Sequence, residues 1–231
     1  VRAFVVEHDP LSTPERVGAH LEKRGFVLEP FVVVKDVGDP EIEASFPDGE
    51  SFDLVVLMGS PWSVYDHGIR GWLLPELEFI ERQMDHGVPI LGICFGAQAI
   101  SAALGGRVTM SQRPEYGWVT IDSLVDEIAA GPWFQFHHDE FTLPEGAVER
   151  GRNESGLQAF TIGRSLAVQF HPEMSGELIK SWCEAGGDEE LVTAGVDPHE
   201  LIEESYRLAV DSQPALERML DWYLDDVAGG H

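Results

Sequence analysis

Cysteine and lysine are scarce in this 231-residue chain: Cys94 and Cys183 are the only cysteines, and Lys23, Lys35 and Lys180 the only lysines. Two cysteines do not make a disulfide framework. Fifteen basic residues face 41 acidic ones, giving a formal charge of −26. A surface so negative repels phosphate, which excludes nucleic acid and anionic membranes as partners. No apolar run approaches the roughly 18 residues of a membrane span, and the N-terminus carries no secretory pattern, so the expected location is the cytoplasm. There is no G-x-x-x-x-G-K-[ST] run for a nucleoside triphosphate, no repeat and no low-complexity linker. His8, His67 and His86 read as ordinary surface or loop residues, and their spacing suggests no metal site.

What is present is a good core. Hydrophobic residues make up 43% of the chain, enough for a single domain over 1–231. Its acidic excess is strongest after Cys183, and residues 188–231 read as an acidic helical segment that either packs on the core or forms a cap. Ala3–Val6, Phe26–Val34 and Asp53–Leu57 read as strands. Thr13-Pro14-Glu15 caps a helix running to about Arg24, and Trp72–Asp85 reads as another. Strand and helix alternate through this half, predicting an α/β fold with a doubly wound, mostly parallel sheet. From Arg107 the pattern changes. Short strands at Trp118–Ile121, Trp133–Phe136, Leu157–Phe160 and Leu166–Gln169 read as antiparallel additions to the sheet edge. Trp62, Trp118 and Trp133 read as core more readily than as pocket walls.

The chemistry concentrates at two places. Val88–Ile93 is a buried-strand pattern, and Phe95–Leu104 a helix of small residues closed by Gly105-Gly106. Cys94 stands at the junction, bracketed in Gly92-Ile93-Cys94-Phe95-Gly96. This is the G-x-nucleophile-x-G spacing of a nucleophile elbow, with cysteine in place of serine. A Cβ on either glycine would collide with neighbouring chain, and the helix dipole favours the thiolate. A lone cysteine before a helix is more often inert, so the second place matters. Gln169-Phe170-His171-Pro172-Glu173 ends a strand. In extended chain, residues two apart point the same way. Glu173 can therefore orient one imidazole nitrogen of His171 while the other serves Cys94, which is what a thiol nucleophile needs.

Together with Leu57-Met58-Gly59-Ser60-Pro61-Trp62, Arg113-Pro114-Glu115-Tyr116-Gly117-Trp118 and Phe136-His137-His138-Asp139, these motifs resemble the class I (triad) glutamine amidotransferases, and among them the free-standing, GMP-synthase-like members. The resemblance implies a flavodoxin-like fold and a catalytic triad of Cys94, His171 and Glu173. It implies an oxyanion hole made by the backbone N–H groups of Gly59 and Phe95. It further implies substrate contacts by Gln98, Tyr116, Gly117 and His137, although a structural hydrogen bond is the readier role for His137. No metal or cofactor is implied. Met58-Gly59-Ser60 departs from the Gly-Gly-Pro-like run common in the family, and Arg113-Pro114 stiffens the glutamine-holding segment.

Three functions follow as expectations. The first is a glutaminase that releases glutamate and ammonia from glutamine and feeds a synthetase partner as ammonia acceptor. The second is a stand-alone hydrolase of γ-glutamyl amides or peptides, using the same triad with a roomier leaving-group pocket. The third is a non-enzymatic binding protein on the same fold. The sequence leaves the acceptor and the oligomeric state open.

Overall fold

The computed structural model describes residues 1–47 and 52–229; the end of the acidic segment, 230–231, lies outside them. Five parallel strands form the centre of one sheet: β1 (Arg2–Glu7), β2 (Val27–Val32), β3 (Leu54–Leu57), β4 (Ile90–Ile93) and, later in the chain, β10 (Ser165–Val168). Its full order is β2-β1-β3-β4-β10-β9-β8-β6, where β9 (Gly156–Ile162), β8 (Val148–Asn153) and β6 (Asp122–Ser123) add antiparallel at one edge.

The inner strands read as unbroken apolar runs because both faces are covered. Side chains alternate: Phe4, Val6, Val55 and Leu57 enter one core with α2 (Arg70–Asp85) and α3 (Phe95–Ala103). Ala3, Val5, Leu54 and Val56 enter the other with α1 (Glu15–Lys23) and α7 (Gln213–Trp222). Val17 and Leu21, four apart on α1, supply its buried stripe. Thr13 does not cap this helix. Pro14 occupies the cap position with no side-chain bond, and the Thr13 hydroxyl turns to Glu15 instead.

Not all the later strands join the sheet edge as expected. The Trp118 and Trp133 segments belong to β5 (Val108–Val119) and β7 (Trp133–Phe141), which pair with each other as a separate antiparallel ribbon. The Leu166 strand is β10, parallel to β4 inside the sheet. The ribbon is held by a third apolar cluster, in which Phe134 meets Leu178 and Ile179 of α4 (Gly176–Trp182) and Leu201 of α6 (Pro198–Asp211). The acidic C-terminal segment packs in two places. α7 closes the sheet, whereas α6 and the short α5 (Asp188–Thr193) cover the ribbon side. Among the described residues no helix is long and apolar enough to cross a membrane.

Candidate active site

β3, β4 and β10 end side by side, and the residues just past their carboxyl ends build the site, as parallel sheets of this kind generally arrange it. Cys94 follows β4 with φ 51° and ψ −107°, a conformation non-glycine residues rarely adopt. The turn is held by the Cys94 N–H donating to the Val168 carbonyl (2.8 Å). The flanking glycines are sterically required. A Cβ on Gly92 would lie 2.8 Å from the Gly96 backbone, and one on Gly96 would overlap the Leu57 carbonyl oxygen. Cys94 is buried and starts α3, so the Phe95 amide is the first of that helix.

His171 is fixed by its backbone, whose N–H donates to the Phe134 carbonyl of the ribbon (2.8 Å). Its Nδ1 lies 2.6 Å from Glu173 Oε1, both side chains being buried. Its Nε2 is buried with no protein hydrogen bond of sound geometry among the described residues. Burial lowers the imidazole pKa, but the charges of Glu173 and Cys94 and the hydrogen bond to Glu173 outweigh burial and raise it to about 10. Trp182 stands edge-on to the ring, with centroids 5.2 Å apart. Behind Glu173, Arg16 donates to the Met174 carbonyl (3.0 Å) and to Gln213 (3.0 Å), tying α1 and the start of α7 to the histidine loop.

Gly59 follows β3 and packs against this pair. A Cβ there would lie 3.0 Å from His171 Cε1 and 3.9 Å from Cys94 Cβ. His8, at the end of β1, corrects the expectation of a surface residue: it is fully buried. Its Nδ1 lies 2.9 Å from the Gly59 carbonyl oxygen, and its Nε2 lies 3.0 Å from Glu76 on α2. Burial lowers its pKa, but Glu76 and the Gly59 bond give a net rise. Glu7-His8-Asp9 is polar enough to look like a loop, yet β2, β3 and α2 cover it. His67 and His86 are exposed.

These groups open on a cavity of about 420 Å³. Cys94, Gln98, His137 and His171 line it, with Trp62, Phe136 and Trp182 as aromatic walls. Its other charged groups are Asp9, Asp139 and Glu190; among the described residues no lysine or arginine lines it. Gln98 donates to Gln169 (3.2 Å), which in turn donates to Cys94 Sγ (3.4 Å). In the sequence Gln169 reads only as the strand end that leads the histidine motif, with no sign of a contact to Cys94. His137 makes structural contacts, to Glu115 (3.1 Å) and the Asp139 carbonyl (2.9 Å). Tyr116 and Gly117 lie off the cavity lining. The Tyr116 hydroxyl donates to Glu190 (2.7 Å), its pKa raised by burial and by that carboxylate, and Gly117 faces Leu201. Trp133 is core, stacked on Phe170, and Trp118 donates to Ser205 on α6. Glu190 lies in an acidic run that reads as solvated surface; nothing in its local pattern marks it.

A family model described as glutamine amidotransferase class-I matches residues 19–181. Among curated proteins, the chain is 33% identical over 167 residues to a γ-glutamyl-L-1-hydroxyisopropylamide hydrolase from a Pseudomonas species, covering 64% of this chain and 54% of that one. It is 29% identical over 201 residues to the glutamine-hydrolysing GMP synthase of Aquifex aeolicus, covering 79% of this chain and 36% of the relative. The chain thus spans about half or less of the length of these relatives. Among solved structures, a glutamine amidotransferase from Thermotoga maritima superimposes with a TM-score of 0.84 at 26% identity, over 98% of this chain and 99% of that one. One from Methylobacillus flagellatus gives 0.82 at 22% identity over 98% and 95%, a likeness of fold alone.

Proposed function

This chain belongs to the class I glutamine amidotransferase family, and from that premise we propose that it hydrolyses the side-chain amide of glutamine or of a γ-glutamyl amide through a thioester on Cys94. The observation that carries the reading is Cys94 on a strained elbow beside His171, itself oriented by Glu173 at 2.6 Å, all under one cavity.

In the proposed reaction the Cys94 thiolate attacks the amide carbon. The Gly59 and Phe95 N–H groups receive the charge that develops on oxygen. His171, protonated in the resting pair, gives its Nε2 proton to the departing nitrogen, and ammonia or an amine leaves. Water then attacks the thioester while His171 takes its proton, releasing glutamate and restoring the thiolate. Glu173 keeps Nδ1 occupied, so that Nε2 does the proton transfer. Gln98 and His137 are the proposed side-chain contacts to substrate. Tyr116 and Gly117 act by holding the ribbon that carries His137.

One feature favours the stand-alone hydrolase as a second reading: a relative bears the name of a γ-glutamyl amide hydrolase. Delivery of ammonia to a synthetase partner is the alternative fate of the same half-reaction. A non-enzymatic role is the weakest reading, because Cys94, His171 and Glu173 are all present, with His171 Nδ1 2.6 Å from Glu173. A free thiol nucleophile suits a reducing compartment, in keeping with the cytoplasm.

A glutamine-like diazo-ketone tests the assignment. It should alkylate Cys94 stoichiometrically, as read by peptide mass spectrometry, with glutamine or a γ-glutamyl amide protecting. An unlabelled Cys94 that iodoacetamide still modifies would overturn it.

A further inference from the structure

Gly59 has no side chain to hold it, yet its amide must point at one spot if it is to stabilise an oxyanion. Two hydrogen bonds pin the peptide planes on either side. The Met58 carbonyl, which shares its plane with the Gly59 N–H, accepts from the Gly96 N–H (3.1 Å). The Gly59 carbonyl lies 2.9 Å from His8 Nδ1. A carbonyl can only accept, so Nδ1 carries the proton, however the remaining proton is shared between Nε2 and Glu76. Glu76 contacts Nε2 with both oxygens, at 3.0 and 3.2 Å, and both side chains are fully buried. Phe95 stands edge-on to the imidazole at 4.6 Å between centroids, and Trp72 is tilted against it at 5.6 Å. A charged or proton-sharing pair this deep is costly to bury, and it contacts neither the cavity nor the nucleophile.

We propose that His8 is a positioning residue: its Nδ1–H, aimed by Glu76, locks the Gly59–Ser60 peptide and thereby keeps the neighbouring Gly59 N–H turned toward the developing oxyanion. The inference rests on the thioester reading above, and its test separates the two.

His8→Asn keeps a donor near the Nδ1 position and loses Glu76. His8→Gln keeps a donor near the Nε2 position and loses Gly59. Turnover of the best γ-glutamyl substrate is measured for both, with iodoacetamide labelling of Cys94 as a reaction that forms no oxyanion. His8→Gln should lower kcat roughly 10- to 100-fold, less than the 10²–10³ lost when an oxyanion donor is removed outright. KM and the labelling rate should stay near wild type, and His8→Asn should recover most of the loss. The reverse order, with Asn impaired and Gln active, would make satisfying Glu76 the whole role and overturn the proposal; so would unchanged kcat in both. If neither variant folds, Glu76→Gln against Glu76→Leu decides. Gln should preserve kcat and Leu should lower it; a Leu variant with wild-type kcat overturns the proposal. Turnover surviving in Cys94→Ala would instead defeat the thioester reading itself.

Discussion

At the scale of single residues, the site is a set of close approaches that leave little choice of side chain. Gly92 and Gly96 were legible because an elbow of this kind admits no Cβ, and both positions are indeed closed by backbone. Gly96→Ala should therefore destabilise the fold by about 1–3 kcal/mol, the usual cost of overpacking, seen as a lower Tm together with lost turnover; a neutral Tm would show the elbow yields. His171 and Glu173 stand out in the sequence by their spacing of two, but the chain there is a turn and not extended: the Met174 N–H donates to the His171 carbonyl (3.3 Å), and this turn brings the carboxylate to Nδ1. Cys94→Ala and His171→Ala should each lower kcat by about 10³-fold or more while retaining native circular dichroism. The histidine also makes a pH prediction. A pKa raised from 6.5 to about 10 contributes stability that is complete below about pH 6.5 and lost as pH rises toward 10. Tm should fall over that interval more steeply in the native chain than in His171→Ala; parallel curves would contradict the raised pKa. His8 and Gln169 were illegible because their partners lie 51 and 75 residues away. A polar residue after a strand gives no local sign of what will cover it.

At the scale of elements, the alternation of strands and helices announced the parallel sheet, because a strand covered on both faces must be apolar throughout. The ribbon of β5 and β7 was harder to foresee. A half-buried antiparallel strand has the same period-two pattern whether it adds to a sheet or pairs alone, and what decides here is the clustering of Phe134 with α4 and α6. That arrangement places Glu190 of α5 at the cavity, where it accepts from Tyr116 and contacts His138 at 3.4 Å. The His138 bond is the main cause that lowers the Glu190 pKa against its partial burial. Glu190→Ala should release both partners and loosen α5 over the cavity. The expected result is a several-fold higher KM with a stability loss of about 0.5–1.5 kcal/mol. An unchanged KM would make α5 a bystander.

At the scale of the whole molecule, charge and shape work together. A formal −26 over 231 residues produces self-repulsion that the fold must overcome. Some of it is offset locally: Arg24 pairs with Asp221 and Asp225, linking α1 to the C-terminal helix that closes the sheet. Most acidic groups are solvent-facing, so screening should relieve their repulsion. The general excess of acid was plain in the composition. Its concentration at the cavity was not, because Asp9, Asp139 and Glu190 meet only in the fold.

The most direct test of the account is ammonia or amine release by the purified chain from glutamine and from a panel of γ-glutamyl amides, with Cys94→Ala alongside. The account predicts release from at least one of these substrates that is lost in Cys94→Ala. Turnover of a substituted amide well above glutamine would identify the stand-alone hydrolase, and weak turnover of glutamine alone the ammonia-supplying subunit. Release from none of them, or release undiminished by Cys94→Ala, would contradict it.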